Sequence, residues 1–317
     1  MIEQQANACS ARRLRLQAAD GHGILVDVWQ PPEAVALVHL FHGLSEHPAR
    51  YDRFSRLCNT RGIAVAAHAH RGHGENCDET SLGHFSDDNG WNKVISDAAQ
   101  VQDHLRQIVP DVPLVLIGHS MGSYIAQCFM MRGHGPVSAL VLSASTYASR
   151  SQVRFGRWFA AFECWRAGKR SKSEMLNKQG FGNFNKRFEP ARTPLAWLSR
   201  DDAEVDKYIQ DPLCGATSSS RLWYDLMGGF LEITSSKALG RIPADLPILV
   251  TGGSEDPVGG RKGLSRLESE LVKSGHSNVT LKLYEHGRHE MFNETNRDEF
   301  TQDLIQWMLA AVVTQNK

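Results

Sequence analysis

The feature that most constrains the fold is a glycine-flanked serine, Gly118-His119-Ser120-Met121-Gly122. The apolar run Leu114–Ile117 precedes this segment, and a helical pattern over residues 121–132 follows it. A Gly-x-Ser-x-Gly turn between a strand and a helix is a nucleophile elbow, which lifts the serine hydroxyl above the sheet. Bulky side chains two positions on either side would collide, so glycines are needed there. We therefore predict that Ser120 is a nucleophile on an α/β fold.

Apolar runs that end at turn signals alternate with helical patterns along the chain. Continuous runs are typical of strands buried on both faces of a parallel sheet, and here they are Val35–Phe41, Gly62–Ala67, Val137–Leu142, Leu246–Val250 and Val279–Tyr284. Gly23–Trp29 alternates apolar and polar residues, as an outer antiparallel strand would. Apolar residues at helical spacing cover 91–108 and 300–311. This alternation predicts a mostly parallel central sheet flanked by helices, with ligands at the carboxyl ends of the strands.

One segment is too long for a simple connection between neighbouring strands. About a hundred residues separate the strand ending near Ser145 from the strand starting at Leu246, far more than a crossover needs. We predict a hydrolase-type core over residues 1–145 and 241–317. Residues 146–240 are predicted to form an inserted helical cap, or lid, over the sheet.

Composition excludes several classes of function. Lys plus Arg and Asp plus Glu each total 35, so the formal charge is zero and no global field attracts nucleic acid. The six cysteines are scattered without a Cys-x-x-Cys pair, which predicts free thiols and neither a disulfide framework nor a common zinc site. No cofactor and no metal are predicted. We expect a cytoplasmic location because no secretory signal or bilayer-length apolar stretch is present. The oligomeric state stays open.

A serine hydroxyl needs a general base, and this fold expects the order serine, acid, histidine along the chain. Two histidines, His286 and His289, follow the strand Val279–Tyr284. His289 lies deeper in the loop, just before Met291-Phe292, which could anchor it. Spacing alone does not eliminate His286.

The acid should follow the strand that ends near Val250. Glu255 and Asp256 stand side by side there, and Pro257 fixes the backbone directly after Asp256. The acid must point into the site, because it holds the tautomer of the imidazole and stabilises imidazolium. Pro257 therefore favours Asp256, and Glu255 remains the alternative.

Two backbone N–H groups must meet the oxyanion that forms during acyl transfer. One is expected from Met121, directly after the nucleophile. The other is expected from Leu44, in the loop Phe41-His42-Gly43-Leu44 after an early strand. His42 fits a structural histidine that shapes this loop better than a catalytic one.

At this point the residues resemble bacterial lysophospholipases and monoacylglycerol lipases of the α/β-hydrolase fold. The matching segments are His42-Gly43-Leu44-Ser45-Glu46-His47, Arg50-Tyr51, Arg71-Gly72-His73-Gly74, the Ser120 turn, Asp256-Pro257-Val258, His289-Glu290-Met291, Trp197-Leu198-Ser199-Arg200-Asp201 and Asp211-Pro212-Leu213-Cys214. The resemblance spans roughly residues 20–310. It implies that His289 is the base and Asp256 the acid.

The resemblance also implies the reaction: hydrolysis of a carboxylic ester of an acyl lipid, lysophospholipid or monoacylglycerol, through an acyl-enzyme on Ser120. Two positions depart from the family pattern, because Ala69 and Ala196 stand where these proteins often have Asp. Neither is a triad position, so the departures bear on substrate details rather than on hydrolysis.

Other functions remain open at this stage. A general carboxylesterase of short-chain esters would use the same residues. A serine aminopeptidase would need an acid for the free amine of its substrate, and Glu46, Glu163 or Glu204 could serve, although no pattern requires it. A ligand-binding protein without chemistry usually lacks a triad member, and here all three positions are filled. A dehalogenase is disfavoured because its nucleophile is Asp.

The predicted cap contains an aromatic and basic stretch. Five aromatic residues recur at helical spacing and form one stripe: Phe155, Trp158, Phe159, Phe162 and Trp165. Seven basic side chains against one acidic side chain occur over residues 150–172. Such a helix can lie on an anionic membrane, which leaves peripheral contact with the inner membrane open. It could equally roof an acyl tunnel or pack the cap onto the sheet.

Overall fold

The computed structural model describes residues 11–314, and its core is one sheet of eight strands. The strands are β1 (Arg12–Gln17), β2 (Gly23–Trp29), β3 (Ala36–Phe41), β4 (Ile63–His68), β5 (Leu114–His119), β6 (Ala139–Ser143), β7 (Ile248–Gly253) and β8 (Val279–Tyr284). Their order is β1-β2-β4-β3-β5-β6-β7-β8. The pairs β1–β2 and β2–β4 are antiparallel, and the other neighbours are parallel. The predicted mostly parallel α/β sheet is confirmed.

Three details of the sheet differ from the prediction. β2 is antiparallel as expected but is not the outer strand, because β1 lies outside it. β1 escaped prediction since only Leu14 and Leu16 carry apolar side chains in a segment rich in arginine. β8 is an edge strand whose residues alternate between exposed and half-buried, so it is not buried on both faces.

Helices cover both faces of the sheet. They are α1 (Asp52–Asn59), α2 (Gly90–Ile108), α3 (Met121–Met131), α4 (Arg150–Ala167), α5 (Glu174–Phe181), α6 (Asp202–Gln210), α7 (Ser220–Ile233), α8 (Ser236–Leu239), α9 (Gly260–Lys273) and α10 (Arg297–Thr314). On one face α1 and α10 bury Phe54 and Phe300, and on the other α2, α3 and α9 bury Trp91, Phe129 and Leu267. Each such side chain contributes about 1.5–3 kcal/mol on burial. The sheet is therefore a rigid platform for the loops at its carboxyl edge.

Helices α4 to α8 all lie in the segment between β6 and β7. In that segment α4 packs against α7, and α7 packs in turn against α2 and α3. The division of the chain into a core and a cap at residues 146–240 stays a prediction, and residues 1–10 and 315–317 of the predicted core lie outside the described part. Across residues 11–314, no helix combines the length and the apolar character that crossing a bilayer requires.

The aromatic stripe of α4 faces outward. The exposed fractions are 63% for Phe155, 64% for Trp158, 40% for Phe162 and 81% for Trp165. Only Phe159 of the stripe is half-buried against the core. The option that the stripe packs the cap onto the sheet is therefore wrong, because α4 buries its other face.

Candidate active site

The Ser120 turn is a sharp, strained connection from β5 to α3. Ser120 has φ 50° and ψ −119°, a conformation that costs a residue with a side chain about 1–3 kcal/mol. Its N–H donates to the Ser143 carbonyl at 2.9 Å, which holds the turn to β6. A Cβ at Gly122 would come within 2.7 Å of the His42 carbonyl oxygen and overlap that of Phe41. The start of α3 and the end of β3 can therefore lie this close to each other only because residue 122 is glycine.

Ser120, His289 and Asp256 form a continuous hydrogen-bonded chain. The distance from His289 Nε2 to Ser120 Oγ is 3.0 Å, and that from His289 Nδ1 to Asp256 Oδ1 is also 3.0 Å. Asp256 is buried and also accepts the backbone N–H of Val258 at 2.9 Å. The carboxylate therefore orients the imidazole so that Nε2 faces the serine hydroxyl, as a general base requires.

The two alternative residues pair with each other instead. His286 Nδ1 lies 3.3 Å from Glu255 Oε1, and the His286 side chain is 75% exposed. Neither residue contacts Ser120. The structure thus brings together His289 and Asp256, the residues that the resemblance implied.

Burial and the nearby carboxylate act in opposite directions on His289. Burial lowers the pKa of this imidazole, but the charge and hydrogen bond of Asp256 outweigh it and raise the pKa above the usual 6.5. The carboxylate therefore stabilises the imidazolium that forms when Ser120 gives up its proton. The indole ring of Trp197 lies 5.1 Å from the His289 ring and covers it.

The two predicted oxyanion donors belong to segments next to the nucleophile. Leu44 follows β3 and lines the same cavity as Ser120, and Met121 is the first residue of α3. Within residues 11–314, neither backbone N–H donates a hydrogen bond to another protein group. The positive end of α3 adds to the favourable potential at this point. Both amides are therefore free to receive a developing negative charge.

A buried carboxylate, Glu46, holds the Leu44 loop in place. Its Oε1 accepts the backbone N–H of Gly43 at 2.5 Å and the Tyr51 hydroxyl at 2.8 Å. Arg50 lies 3.3 Å from its Oε2 and also pairs with Glu290. The sequence named Glu46 only as a motif member and as a candidate amine ligand. Its spacing three residues after Gly43 was the available signal, because a loop of that length lets the side chain cap the amide.

His42 has the structural role expected of it. Its Nδ1 lies 2.7 Å from the Gly43 carbonyl oxygen, and its Nε2 accepts the backbone N–H of His70 at 3.0 Å. Nδ1 therefore fixes the loop after β3, and Nε2 joins it to the loop after β4.

The two departures from the family pattern lie beside the site rather than in it. Ala69 is buried, and Arg71, two residues later, pairs with Asp20 and Asp97. The carbonyl of Ala196 accepts a hydrogen bond from Arg288 at 2.6 Å. Neither alanine contacts Ser120.

A cavity of about 350 Å³ opens in front of Ser120. Its walls are largely apolar and come from the segment between β6 and β7, including Phe181, Leu195 and Trp197. Ser120 and His289 are among the polar residues that line it. An apolar cavity with a few convergent polar groups is typical of a small-molecule site.

One cluster has the ligand types of a metal site. His47, Asp211 and Cys214 place one ligand atom each within 4.8 Å of one another. However, the Arg50 guanidinium lies 4.0 Å from the Cys214 sulfur, and burial raises the pKa of that thiol to about 12. A protonated thiol beside a fixed cation is a poor ligand set. The 2.7 Å contact between His47 and Asp211 instead ties the β3 loop to the segment after α6.

A serine held in a strained elbow, with a histidine and a buried carboxylate aligned behind it, defines the class of α/β serine hydrolases. Residues 32–296 match the family described as serine aminopeptidase, S33, and the chain belongs to this family.

Named relatives fit this class. The chain is 30% identical over 286 residues to monoglyceride lipase of Mus musculus, covering 87% of this chain and 82% of that protein. It is 27% identical over 298 residues to monoacylglycerol lipase of Mycolicibacterium smegmatis, covering 92% of this chain and 94% of that protein. A carboxyl esterase of Bacillus coagulans has a TM-score of 0.87 at 25% identity over 96% of this chain and 99% of that chain. The resemblance, the α/β-hydrolase fold and the predicted class of carboxylic ester hydrolase are confirmed.

Proposed function

We propose that this protein hydrolyses esters of single acyl chains, monoacylglycerol or lysophospholipid, with Ser120, His289 and Asp256 as its catalytic triad. The observation that carries the proposal is the hydrogen-bonded chain of these residues, of which Ser120 and His289 line a largely apolar cavity. The monoglyceride and monoacylglycerol lipases among its relatives support the substrate class.

The proposed reaction first forms an acyl-enzyme on Ser120 and then hydrolyses it. Ser120 Oγ attacks the ester carbonyl carbon while His289 Nε2 takes its proton, and the Leu44 and Met121 amides bind the oxyanion. His289 then protonates the leaving alcohol, which departs and leaves the acyl chain on Ser120. Water enters, gives a proton to His289 and attacks the acyl-enzyme. The proton returns to Ser120 as the fatty acid leaves.

The acids considered for an aminopeptidase are already engaged. Glu46 is committed to the oxyanion loop. Glu163 is fully buried and pairs with Arg166 at 2.7 Å, and Glu204 pairs with Lys207 at 2.7 Å. Since a substrate amine would have to displace these partners, ester hydrolysis is favoured over peptide hydrolysis.

Replacement of the nucleophile tests the proposal. We expect Ser120→Ala to lose essentially all esterase activity and all labelling by a fluorophosphonate probe, because Ser120 supplies the hydroxyl that is hydrogen-bonded to His289. Ser269→Ala, an exposed serine of α9, is the matched control and should keep both. Retained labelling of Ser120→Ala would overturn the assignment.

A substrate series tests the acyl class. Rates on p-nitrophenyl esters of rising chain length should increase from acetate upwards, because the apolar cavity gains contact with each methylene. Monoacylglycerol and lysophospholipid are then compared directly. A flat profile with preference for acetate would favour the general carboxylesterase.

We also propose that the exposed aromatic face of α4 docks on an anionic membrane surface. Phe155, Trp158, Phe162 and Trp165 line this face and stack along it at centroid distances of 5.8–6.4 Å. The helix and the turn after it carry the excess of basic side chains, whose charge is complementary to anionic lipid. We propose a cytoplasmic location with contact to the inner membrane, since that surface presents such lipid to an enzyme with free thiols.

Vesicle binding tests the docking face. Trp158→Ser combined with Trp165→Ser should weaken binding to phosphatidylglycerol vesicles, with little effect on hydrolysis of a water-soluble short ester. Val272→Ser, an exposed apolar residue on α9, is the control and should leave vesicle binding unchanged. Equal binding by the double variant and the wild type would contradict docking through α4.

A further inference from the structure

A second cavity, separate from the one at Ser120, lies among α7, α8, the beginning of α2 and the end of α3. Its volume is about 990 Å³, and it shares no lining residue with the Ser120 cavity. Five guanidinium groups line it, from Arg132, Arg150, Arg157, Arg221 and Arg241. We call this cavity the arginine groove.

Two of the five guanidinium groups are neutralised by carboxylates of the same groove. Both Glu232 oxygens lie 2.9 Å from Arg132 Nη2, and both Asp225 oxygens lie 3.1 Å from Arg221 Nε. Burial raises the pKa of Asp225, which Arg221 partly offsets. These pairs build the wall of the groove and use up both of its acidic side chains.

The other three guanidinium groups have no carboxylate partner among residues 11–314. Arg150 Nη1 donates to the Leu231 carbonyl at 3.1 Å, and the Arg241 side chain makes no hydrogen bond to the described residues. Arg157 donates to the Tyr224 hydroxyl at 2.8 Å and lies 4.4 Å above the Tyr224 ring, while its buried Nε has no partner within residues 11–314. A protein of zero formal charge therefore concentrates three unpaired cations in one concave site.

Hydroxyl groups complete the lining of the groove. Tyr147, Thr234, Ser235 and Ser236 all line it. The Thr234 and Ser236 hydroxyls donate to the Leu231 carbonyl and to Glu270, whereas the Tyr147 and Ser235 hydroxyls donate to no other group among residues 11–314. Guanidinium forks and hydroxyl donors together match the tetrahedral oxygens of a phosphate group. The volume exceeds what phosphate alone needs and leaves room for an esterified alcohol.

We propose that the arginine groove binds a phosphate ester, as a second ligand site distinct from the catalytic cavity. The same chemistry is offered by the headgroup of an anionic phospholipid and by a soluble phosphorylated metabolite. Arg157 belongs to α4, the helix with the exposed aromatic face, so a headgroup in the groove would lie beside that face. This site does not depend on ester hydrolysis at Ser120.

Calorimetric titration with glycerol 3-phosphate tests the site, using unphosphorylated glycerol as the reference ligand. The titrations use the Ser120→Ala protein, so that failure of the proposed hydrolysis cannot affect the result. Arg157→Gln and Arg241→Gln should each weaken glycerol 3-phosphate binding about tenfold or more, since each removes a charged donor. Arg154→Gln removes the same charge from the exposed surface of α4 outside the groove and should change binding by less than about twofold.

Vesicles containing phosphatidic acid, compared with phosphatidylcholine alone, distinguish the two sources of the ligand. Vesicle binding that Arg241→Gln reduces about tenfold supports the site with a lipid headgroup as its ligand. Loss of glycerol 3-phosphate binding without loss of vesicle binding supports it with a soluble ligand. Circular dichroism and melting temperature establish that the variants are folded. The proposal is overturned if neither probe binds, or if Arg154→Gln weakens glycerol 3-phosphate binding as much as Arg157→Gln does.

Discussion

The adjacent acids Glu255 and Asp256 differ in what they contact, and this gives a matched pair of variants. Asp256→Asn should lower kcat by about a thousandfold or more, because an amide cannot hold the required imidazole tautomer or stabilise imidazolium. Glu255→Gln should stay within about twofold of the wild type, since the Glu255 side chain is paired with the exposed His286 rather than with His289. Initial rates on a p-nitrophenyl ester measure both. An equal loss in the two variants would contradict the assignment of Asp256.

The raised pKa of His289 predicts where activity is lost on the acid side. Protonated His289 cannot accept the Ser120 proton, so kcat/KM should fall as the pH drops through this pKa, which lies above the ordinary imidazole value of 6.5. Asp256 raises the pKa, so the residual activity of Asp256→Asn should persist to lower pH than that of the wild type. The pH dependence of kcat/KM in both proteins measures the shift. An unchanged acid limb would contradict the electrostatic role of Asp256.

At the scale of single elements, helix α7 contains two neighbouring glycines with different surroundings. A Cβ at Gly228 would have Arg157 Nε at 3.6 Å as its nearest neighbour, which is ordinary contact, whereas a Cβ at Gly229 would overlap the Trp91 indole. Gly228→Ala should therefore stabilise the protein by up to about 1 kcal/mol through helix propensity. Gly229→Ala should destabilise it by about 1–3 kcal/mol through overpacking. Denaturant unfolding measures both, and a stabilised Gly229→Ala would refute the packing of α7 on α2.

Most strands and the Ser120 turn could be predicted because their signals are local. A buried parallel strand is a continuous apolar run, and the elbow needs glycines at fixed positions. β1 could not be predicted, since its pairing with β2 depends on a neighbouring strand and its side chains are mostly charged or polar. Periodicity placed the aromatic stripe of α4 on one face of the helix but could not show whether that face is buried or exposed. The face is exposed because α7 packs against the other side of α4.

In the candidate site, too, the residues marked by local sequence signals could be predicted, whereas contacts that depend on the fold could not. Ser120, Leu44 and Met121 follow from motifs that are contiguous in sequence. The choice of Asp256 and His289 over their neighbours depends on which side chain turns towards Ser120, and spacing left that open. The support from Glu46 depends on the fold of a loop, so its contacts with Gly43 and Tyr51 could not be derived from composition or period.

At the scale of the whole molecule, the most unusual feature is a group of five buried histidines behind the oxyanion loop. They are His39, His42, His68, His70 and His73, and neighbouring rings lie 4.3–5.2 Å apart. Burial lowers the pKa of every one, to about 3 for His68 and about 4 for His73. Both ring nitrogens of His70 lack a hydrogen-bond partner in the described part of the chain. The folded protein therefore keeps these imidazoles neutral at pH values where the unfolded chain binds protons.

The lowered pKa of these five histidines in the folded state predicts that acid destabilises the protein. Stability is fully present above the unfolded pKa of about 6.5 and is lost as the pH falls below it, because the unfolded state takes up protons that the folded state refuses. Each histidine contributes a loss of about 1.4 kcal/mol by about pH 5.5, so the five together approach the 5–15 kcal/mol typical of a whole domain. The loss continues down to about pH 4 for His73 and about pH 3 for His68.

His70 is the most informative position for a variant, because its ring makes no hydrogen bond to residues 11–314 that a substitution would break. His70→Leu should unfold at lower pH than the wild type, with the slope of the free energy of unfolding against pH reduced by about one proton between pH 6 and 5. His286→Gln, at an exposed histidine, should leave the slope unchanged. Urea unfolding at a series of pH values measures these slopes. A wild-type free energy of unfolding that stays constant from about pH 7 to pH 5 would contradict the buried neutral cluster, because the unfolded chain must gain charge over that range.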